Sequence, residues 1–263
     1  MAAQLLIYER AVPVNPGRHG DWSVKAGTDY GFAKHVNAVP LMTSEFQSAA
    51  AEYAIVFTGT PETVMPALIL GVREGENLFL DDAGTWGATY VPAFLRRYPF
   101  VFSASEDGAT FTLCIDEEFS GANQEGRGER LFDSDGERTQ YLEGVLGFLQ
   151  VYQAHFRRTQ AFCKRLVELD LMEPMQAQLR LPDGGQLALT GFMAVNRKRL
   201  NALDGEQLST LAQAEELELL YTHLMSMQNF RSMVERISGP AEDSAPADAP
   251  EQEPKADKPK KKK

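Results

Sequence analysis

Long apolar segments are missing from this sequence of 263 residues. The longest apolar run covers residues 64–72 and contains Pro66, whereas a membrane-spanning helix needs about 20 apolar residues. The first ten residues also lack the basic start and the extended apolar stretch of a signal peptide. We therefore expect a protein that has no transmembrane segment and is not exported.

Cysteine is scarce, with Cys114 and Cys163 as the two examples. Each lies among apolar residues in a predicted strand or helix, which favours a buried thiol over a disulfide or a metal ligand. Scarce cysteine and the absence of an export signal together predict a cytoplasmic location.

Net positive charge is also absent, since the formal net charge is −11. The segment from Ser238 onward holds six acidic residues and six lysines, so the whole negative charge belongs to residues 1–237. A folded domain with net negative charge repels the phosphate groups of nucleic acids. We therefore expect no nucleic acid partner.

The common catalytic and nucleotide-binding motifs do not occur. There is no G-x-G-x-x-G, no G-x-x-x-x-G-K-[ST] and no G-x-S-x-G sequence. The four histidines form neither an H-x-x-x-H nor an H-E-x-x-H pair. These absences leave the cofactor unknown and the question of an enzyme open.

Short strands joined by short loops predict an α+β fold with a mostly antiparallel sheet. The predicted strands cover residues 4–14, 53–57, 67–73, 77–80, 100–103, 109–115, 176–181 and 187–195. Two long helices are expected to pack on this sheet. One begins after Thr139 and ends near residue 170, and the other carries apolar residues at helical spacing over 217–237.

Two polar segments interrupt this pattern. Residues 116–138 form a long loop rich in Gly, Asp, Glu and Arg, which is typical of a functional, partly ordered or disordered segment. Residues 238–263 contain Pro, Ala, Glu, Asp and Lys without larger apolar residues, which predicts a disordered tail. The expected organisation is one α+β domain over 1–237 followed by this tail.

The candidate ligand-binding residues are His19, Asp21, Trp22 and Tyr98. His19 and Asp21 are two positions apart, and Tyr98 belongs to an aromatic run that could stack on a ligand or simply pack in the core. A metal centre would need a third ligand, such as Glu45 or His35, so we predict no metal site. A structural histidine in a polar loop is the alternative.

Several segments, taken in order, resemble those of the bacterial SapC family, which is named for a surface-layer-associated protein. The resemblance covers about residues 4–237. The segments are His19 to Trp22, Val39-Pro40-Leu41, Glu45-Phe46, Tyr53 to Phe57, Tyr90 to Phe102, Leu131-Phe132-Asp133, Tyr141 to Gly144, Gly191-Phe192, His223-Leu224, Ser226 and Asn229.

The resemblance implies a link with the surface layer or the cell envelope but supplies no catalytic residues. Three hypotheses follow. The first is a cytoplasmic binding or accessory module that contacts a protein partner through the 116–138 loop or the lysine-rich tail. The second is a small-molecule or metal-dependent enzyme, or a subunit of one, with a site near His19, Asp21 and Trp22. The third is a surface-layer component.

Overall fold

The computed structural model describes residues 6–25, 27 and 29–238. The predicted disordered tail therefore lies outside the described residues, apart from Ser238. The strands, in chain order, are β1 Ala11–Pro13, β2 Ser23–Val24, β3 Ala38–Pro40, β4 Ile55–Thr58, β5 Met65–Ile69, β6 Phe100–Ala104, β7 Phe111–Asp116, β8 Ala122–Asn123, β9 Glu129–Arg130, β10 Met172–Arg180 and β11 Gln186–Val195.

The helices alternate with groups of strands along the chain. They are α1 Pro16–His19, α2 Phe46–Ala50, α3 Ala93–Arg96, α4 Gln140–Glu168, α5 Arg197–Asn201, α6 Gly205–Gln213, α7 Glu216–Ser226 and α8 Phe230–Ser238. None of the described helices combines the length and the apolar character that crossing a membrane requires.

The strands form three antiparallel sheets. The largest has the order β10-β11-β4-β5-β3, and the two others have the orders β1-β7-β6 and β8-β2-β9. With the long helix α4 and the C-terminal helices, this arrangement confirms the predicted α+β class. The strands are divided among several small sheets because many of them are only two to five residues long.

Helix α4 crosses two of the sheets. The side chain of Thr139 accepts a hydrogen bond from the Leu142 backbone N–H and caps the helix as predicted. Leu142 and Leu149 pack in a cluster with Phe100 and Ile115 of the β1-β7-β6 sheet. Further along α4, other buried side chains join the main core, to which the five-stranded sheet contributes; these are Phe162, Cys163 and Leu166.

Local signals correctly predicted several other elements. The β10–β11 hairpin turns at residues 181–185, where Gly184 has a positive φ of 86°. The Asn196 side chain caps α5, and Asp204 forms a capping box with Gln207 at the start of α6. Both predicted thiols, Cys114 and Cys163, are free and buried.

The strand predicted over residues 4–14 is confirmed over Ala11–Pro13, which is β1, and the strand predicted over 77–80 is wrong. Residues 6–10 form a turn, because the Asp116 carboxylate accepts hydrogen bonds from the backbone N–H groups of Glu9 and Arg10. Residues 77–80 form no regular strand. There the Asn77 side chain bonds the Ala33 carbonyl and the Phe79 N–H, which competes with a strand ladder.

The 116–138 segment is partly ordered on its own, which was one of the expected outcomes. It contributes β8 and β9, which flank β2 on both sides. The Asn123 side chain secures the turn between them, since it accepts from the Arg127 N–H at 3.0 Å and donates to the Ser23 carbonyl at 3.2 Å.

The predicted continuous helix over residues 217–237 is divided into α7 and α8 by a 3₁₀ turn at Met227–Asn229. Tertiary hydrogen bonds account for the division. The Asn229 side-chain amide donates to the carbonyls of Ala50 at 2.7 Å and Tyr53 at 2.9 Å, at the end of α2. The chain leaves the regular helix where this side chain reaches the neighbouring backbone.

His223 joins two strands from inside the core. It is fully buried, its Nδ1–H donates to the Ile55 carbonyl at 2.9 Å, and its Nε2 accepts from the Val195 N–H at 3.1 Å. Ser226, one turn later, accepts from the Ile55 N–H at 3.1 Å. The imidazole therefore replaces a strand-to-strand hydrogen bond at the β4–β11 junction.

Replacing His223 with Phe should lower the free energy of unfolding by about 2–4 kcal/mol, because a buried N–H and a buried carbonyl lose their partners. Urea unfolding at pH 7.5 measures this change. The control is His35→Phe at an exposed histidine, which should cost no more than about 0.5 kcal/mol. Equal effects of the two substitutions would contradict the bridging role.

Stability should also fall with acidification. Burial lowers the pKa of His223 to about 4, below its ordinary value of about 6.5. Between these pH values the unfolded chain takes up a proton that the folded chain does not, so the stabilisation is complete above pH 6.5. About 2 kcal/mol should be lost at pH 5.

The measurement is urea unfolding at pH 7.5 and pH 5. The His223→Phe variant should show a smaller pH dependence, and His35→Phe should keep that of the original chain. Some dependence should remain in His223→Phe, because burial also lowers the pKa of His19. An unchanged pH dependence in His223→Phe would refute the assignment.

Candidate functional site

The predicted residues His19 and Trp22 lie together beside the end of β7. Helix α1 begins after the Asn15 cap and places His19 in a fully buried position. The ring of Trp22 packs edge-on against His19, with centroids 5.1 Å apart. The Asn15 backbone N–H donates to His19 Nδ1 at 3.3 Å, and His19 Nε2–H donates to Glu117 Oε1 at 3.2 Å.

Glu117 is the centre of a charged cluster. Its side chain is 4% exposed and pairs with the guanidinium groups of Arg10 and Arg18, with Arg18 Nη2 at 2.6 Å. The Arg18 hydrogen bond is the main reason why the pKa of Glu117 falls to about 2, and Arg10 contributes in the same direction. Burial lowers the pKa of His19, and Glu117 partly opposes that change. This arrangement holds Glu117 ionised and His19 neutral.

Tyr98 contacts Asp116, which is the last residue of β7 and precedes Glu117 in the chain. Its hydroxyl donates to Asp116 Oδ2 at 3.3 Å, and its ring stacks on Phe32 with centroids 4.2 Å apart. Burial and the nearby Asp116 carboxylate raise the pKa of Tyr98. Asp116 itself is fully buried and also accepts from three backbone N–H groups, those of Glu9, Arg10 and Glu118.

Asp21 is separated from this arrangement. It is exposed, and no hydrogen bond or ion pair links it to His19 in the part of the chain that the structure describes. The other proposed metal ligands are also elsewhere: Glu45 binds the Tyr90 hydroxyl at 2.6 Å, and His35 is exposed. Over residues 6–25, 27 and 29–238, no three potential metal ligands come together.

The sequence patterns missed a cleft of about 910 Å³, which we call the apolar cleft. The β1-β7-β6 sheet forms one wall, which includes the cross-strand pairs Val101 with Cys114 and Ser103 with Thr112. The start of β5, the edge strand β3 and the 58–63 turn form the opposite wall, and α4 closes one side. Its buried lining residues are Val39, Pro66, Ala67, Phe94, Val101, Cys114 and Tyr152.

The polar residues of the apolar cleft lie at its rim. Ser103, Thr112 and Gln160 are exposed, as are Glu62 and Thr63. Burial raises the pKa of the Cys114 thiol inside the cleft, which disfavours the nucleophilic thiolate. The cleft can therefore surround an apolar group but offers few reactive groups to it.

The aromatic run that contains Tyr98, which extends from Trp86 to Phe102, is divided between several places. Phe94 and Phe102 line the apolar cleft, while Trp86 donates its Nε1–H to the Tyr53 hydroxyl at 2.8 Å in the core. No sequence pattern indicated the cleft itself, because its walls come from strands far apart in the chain. The period-two pattern of β6 and β7 could only indicate which side chains share a face.

The family comparison supports the resemblance noted from the sequence. The SapC family model matches residues 14–233, which includes every described element from α1 to the start of α8. Searches among curated proteins and among solved structures found no match.

Replacing His19 with Ala should lower the free energy of unfolding by about 2 kcal/mol, because a buried ring that bonds Glu117 and Asn15 is lost. Asp21→Asn is the matched control and should change stability by no more than about 0.5 kcal/mol, since Asp21 is exposed. Thermal and urea unfolding measure both. A His19→Ala variant of unchanged stability would contradict the structural role and favour a site at His19.

Proposed function

We propose that this chain, which belongs to the SapC family, is a binding module that holds its ligand in the apolar cleft. The observation that carries the proposal is the cleft itself. Its volume of about 910 Å³ lies in the usual range of ligand pockets, and its buried lining is apolar, with polar residues at the rim.

The chemistry of the candidate residues supports binding over catalysis. The rings of His19 and His223 are fully buried, and both nitrogens of each ring are hydrogen-bonded within the protein. A general base must reach the proton that it removes. The enzyme hypothesis for His19, Asp21, Trp22 and Tyr98 therefore has less support, and it stays a prediction from the sequence.

We further propose an accessory role in which the loaded module contacts a protein partner, with a link to the surface layer or cell envelope. The family name supports the envelope link, and the lack of catalytic motifs supports the accessory role. The cytoplasmic location also stays a prediction, which fractionation of native cells would check.

The test is native mass spectrometry of the chain purified from cells at native expression. We expect a bound species that is lost in Ser103→Trp, because Ser103 is exposed on the cleft-facing side of β6 and an indole there would occupy the cleft. The control is Glu106→Trp on the exposed β6–β7 turn, outside the cleft, which should retain the species.

Equal unfolding midpoints of the two tryptophan variants would show that both are folded. If the original chain carries no bound species, or if Ser103→Trp retains it, the cleft is not the binding site. The proposal would then be wrong.

A further inference from the structure

A second cleft beside α4 shares part of its lining with the apolar cleft. This second cleft has a volume of about 1120 Å³ and has a more polar lining, so we call it the polar cleft. The two clefts share four lining residues, Phe102, Phe111, Thr112 and Gln153. A long molecule that lies in the apolar cleft and extends past these four residues would place one end in the polar cleft.

Arg157 lies at this junction. It is exposed on α4, one turn after Gln153, and its guanidinium carbon lies 5.7 Å from the centroid of the Phe111 ring. Within the described residues Arg157 forms no ion pair with a carboxylate. The cation is therefore available to an anionic group at the junction, and its contact with Phe111 places it beside a residue that lines both clefts.

The other charged residues of the two clefts are less suitable for an anion. Arg138 already pairs with Glu143 at 3.4 Å. Glu137 lies in the polar cleft, and Glu62 lies in the 58–63 turn at the rim of the apolar cleft. Arg157 is thus the unpaired cation of the lining, and the two unpaired carboxylates would repel an anion placed elsewhere.

The buried lining indicates what the rest of the ligand is. Apart from the Cys114 thiol and the Tyr152 hydroxyl, its side chains are Val39, Pro66, Ala67, Phe94 and Val101, which offer no hydrogen-bond donor or acceptor. A sugar or a nucleotide would leave its polar groups unpaired there. A hydrocarbon chain has no polar group to leave unpaired in the cleft, and its transfer from water to the cleft is favourable.

We infer that the apolar cleft holds the hydrocarbon chain of a long-chain fatty acid, with its carboxylate bound by Arg157. This inference rests on the proposed binding function and adds the chemical class of the ligand. Guanidinium and carboxylate form paired, charge-assisted hydrogen bonds, so the carboxylate would fix the orientation of the chain.

The test uses the full chain and two fluorescent probes, cis-parinaric acid and its methyl ester, which differ in the charge of the head group. We expect the acid to bind more tightly than the ester. Arg157→Gln should weaken binding of the acid about tenfold and leave binding of the ester unchanged.

Arg158→Gln is the matched control. Arg158 is the next residue on α4, is exposed, and pairs with Glu215 at 3.1 Å away from the clefts. It should leave the affinities for both probes unchanged. Ser103→Trp should abolish binding of both probes, because it occupies the space of the hydrocarbon chain.

Two results would overturn the inference and leave the proposed function intact. In the first, acid and ester bind equally and Arg157→Gln has no effect, which excludes the carboxylate contact. In the second, neither probe binds while native mass spectrometry still finds a species that is sensitive to Ser103→Trp; a protein segment or another ligand would then occupy the cleft. Failure of the native mass spectrometry test itself would refute the binding function.

Discussion

Buried backbone N–H and carbonyl groups need hydrogen-bond partners, and the short strands of this fold leave many of them without a neighbouring strand. Strand β4 meets β11 at one residue pair, Phe57 with Met193. His223 supplies bonds to both strands at this junction. Other side chains satisfy backbone groups in turns and at strand ends in the same way; these are Glu45, Glu52, Glu76, Asp116, Ser226 and Asn229.

The same requirement explains the residues that carry the family resemblance. Glu45 accepts hydrogen bonds from the backbone N–H groups of Met42 and Ala93, at 3.0 and 2.7 Å. Ser226 and Asn229 bind the backbone around the start of β4. The contacts of these three polar residues hold loops and strand ends in place. The residues that carry the family resemblance therefore identify the fold and say little about a reaction.

How far the sequence predicted the structure depends on the range of the interactions. The cap of α4 by Thr139, the cap of α6 by Asp204 and the β10–β11 hairpin depend on residues close together in the chain, and all three predictions are confirmed. The division of the last helix was missed because Asn229 binds backbone 176 and 179 residues away. The order of the strands in each sheet could not be predicted, because it also depends on contacts between residues far apart in the chain.

The candidate site was predicted in part. His19 and Trp22 are in contact, and Tyr98 bonds Asp116 at the end of β7. Asp21 is exposed and lies apart from them. A sequence shows that a histidine and an aspartate are two positions apart. It does not show that a buried glutamate from β7's end, Glu117, will be the histidine's partner.

The apolar cleft is a consequence of how α4 packs. A helix of 29 residues is about 43 Å long, and its two ends pack on different sheets. The β1-β7-β6 sheet and the five-stranded sheet are separate, so a gap remains where the helix passes from one to the other, beside Tyr152 and Phe156. Each wall belongs to a different sheet, and no local motif encodes the space between them. Its ligand therefore has to be inferred from the shape and charge of the assembled walls. Among the residues that the structure describes, these walls are mainly apolar inside, and Arg157 is an unpaired cation at the junction with the polar cleft.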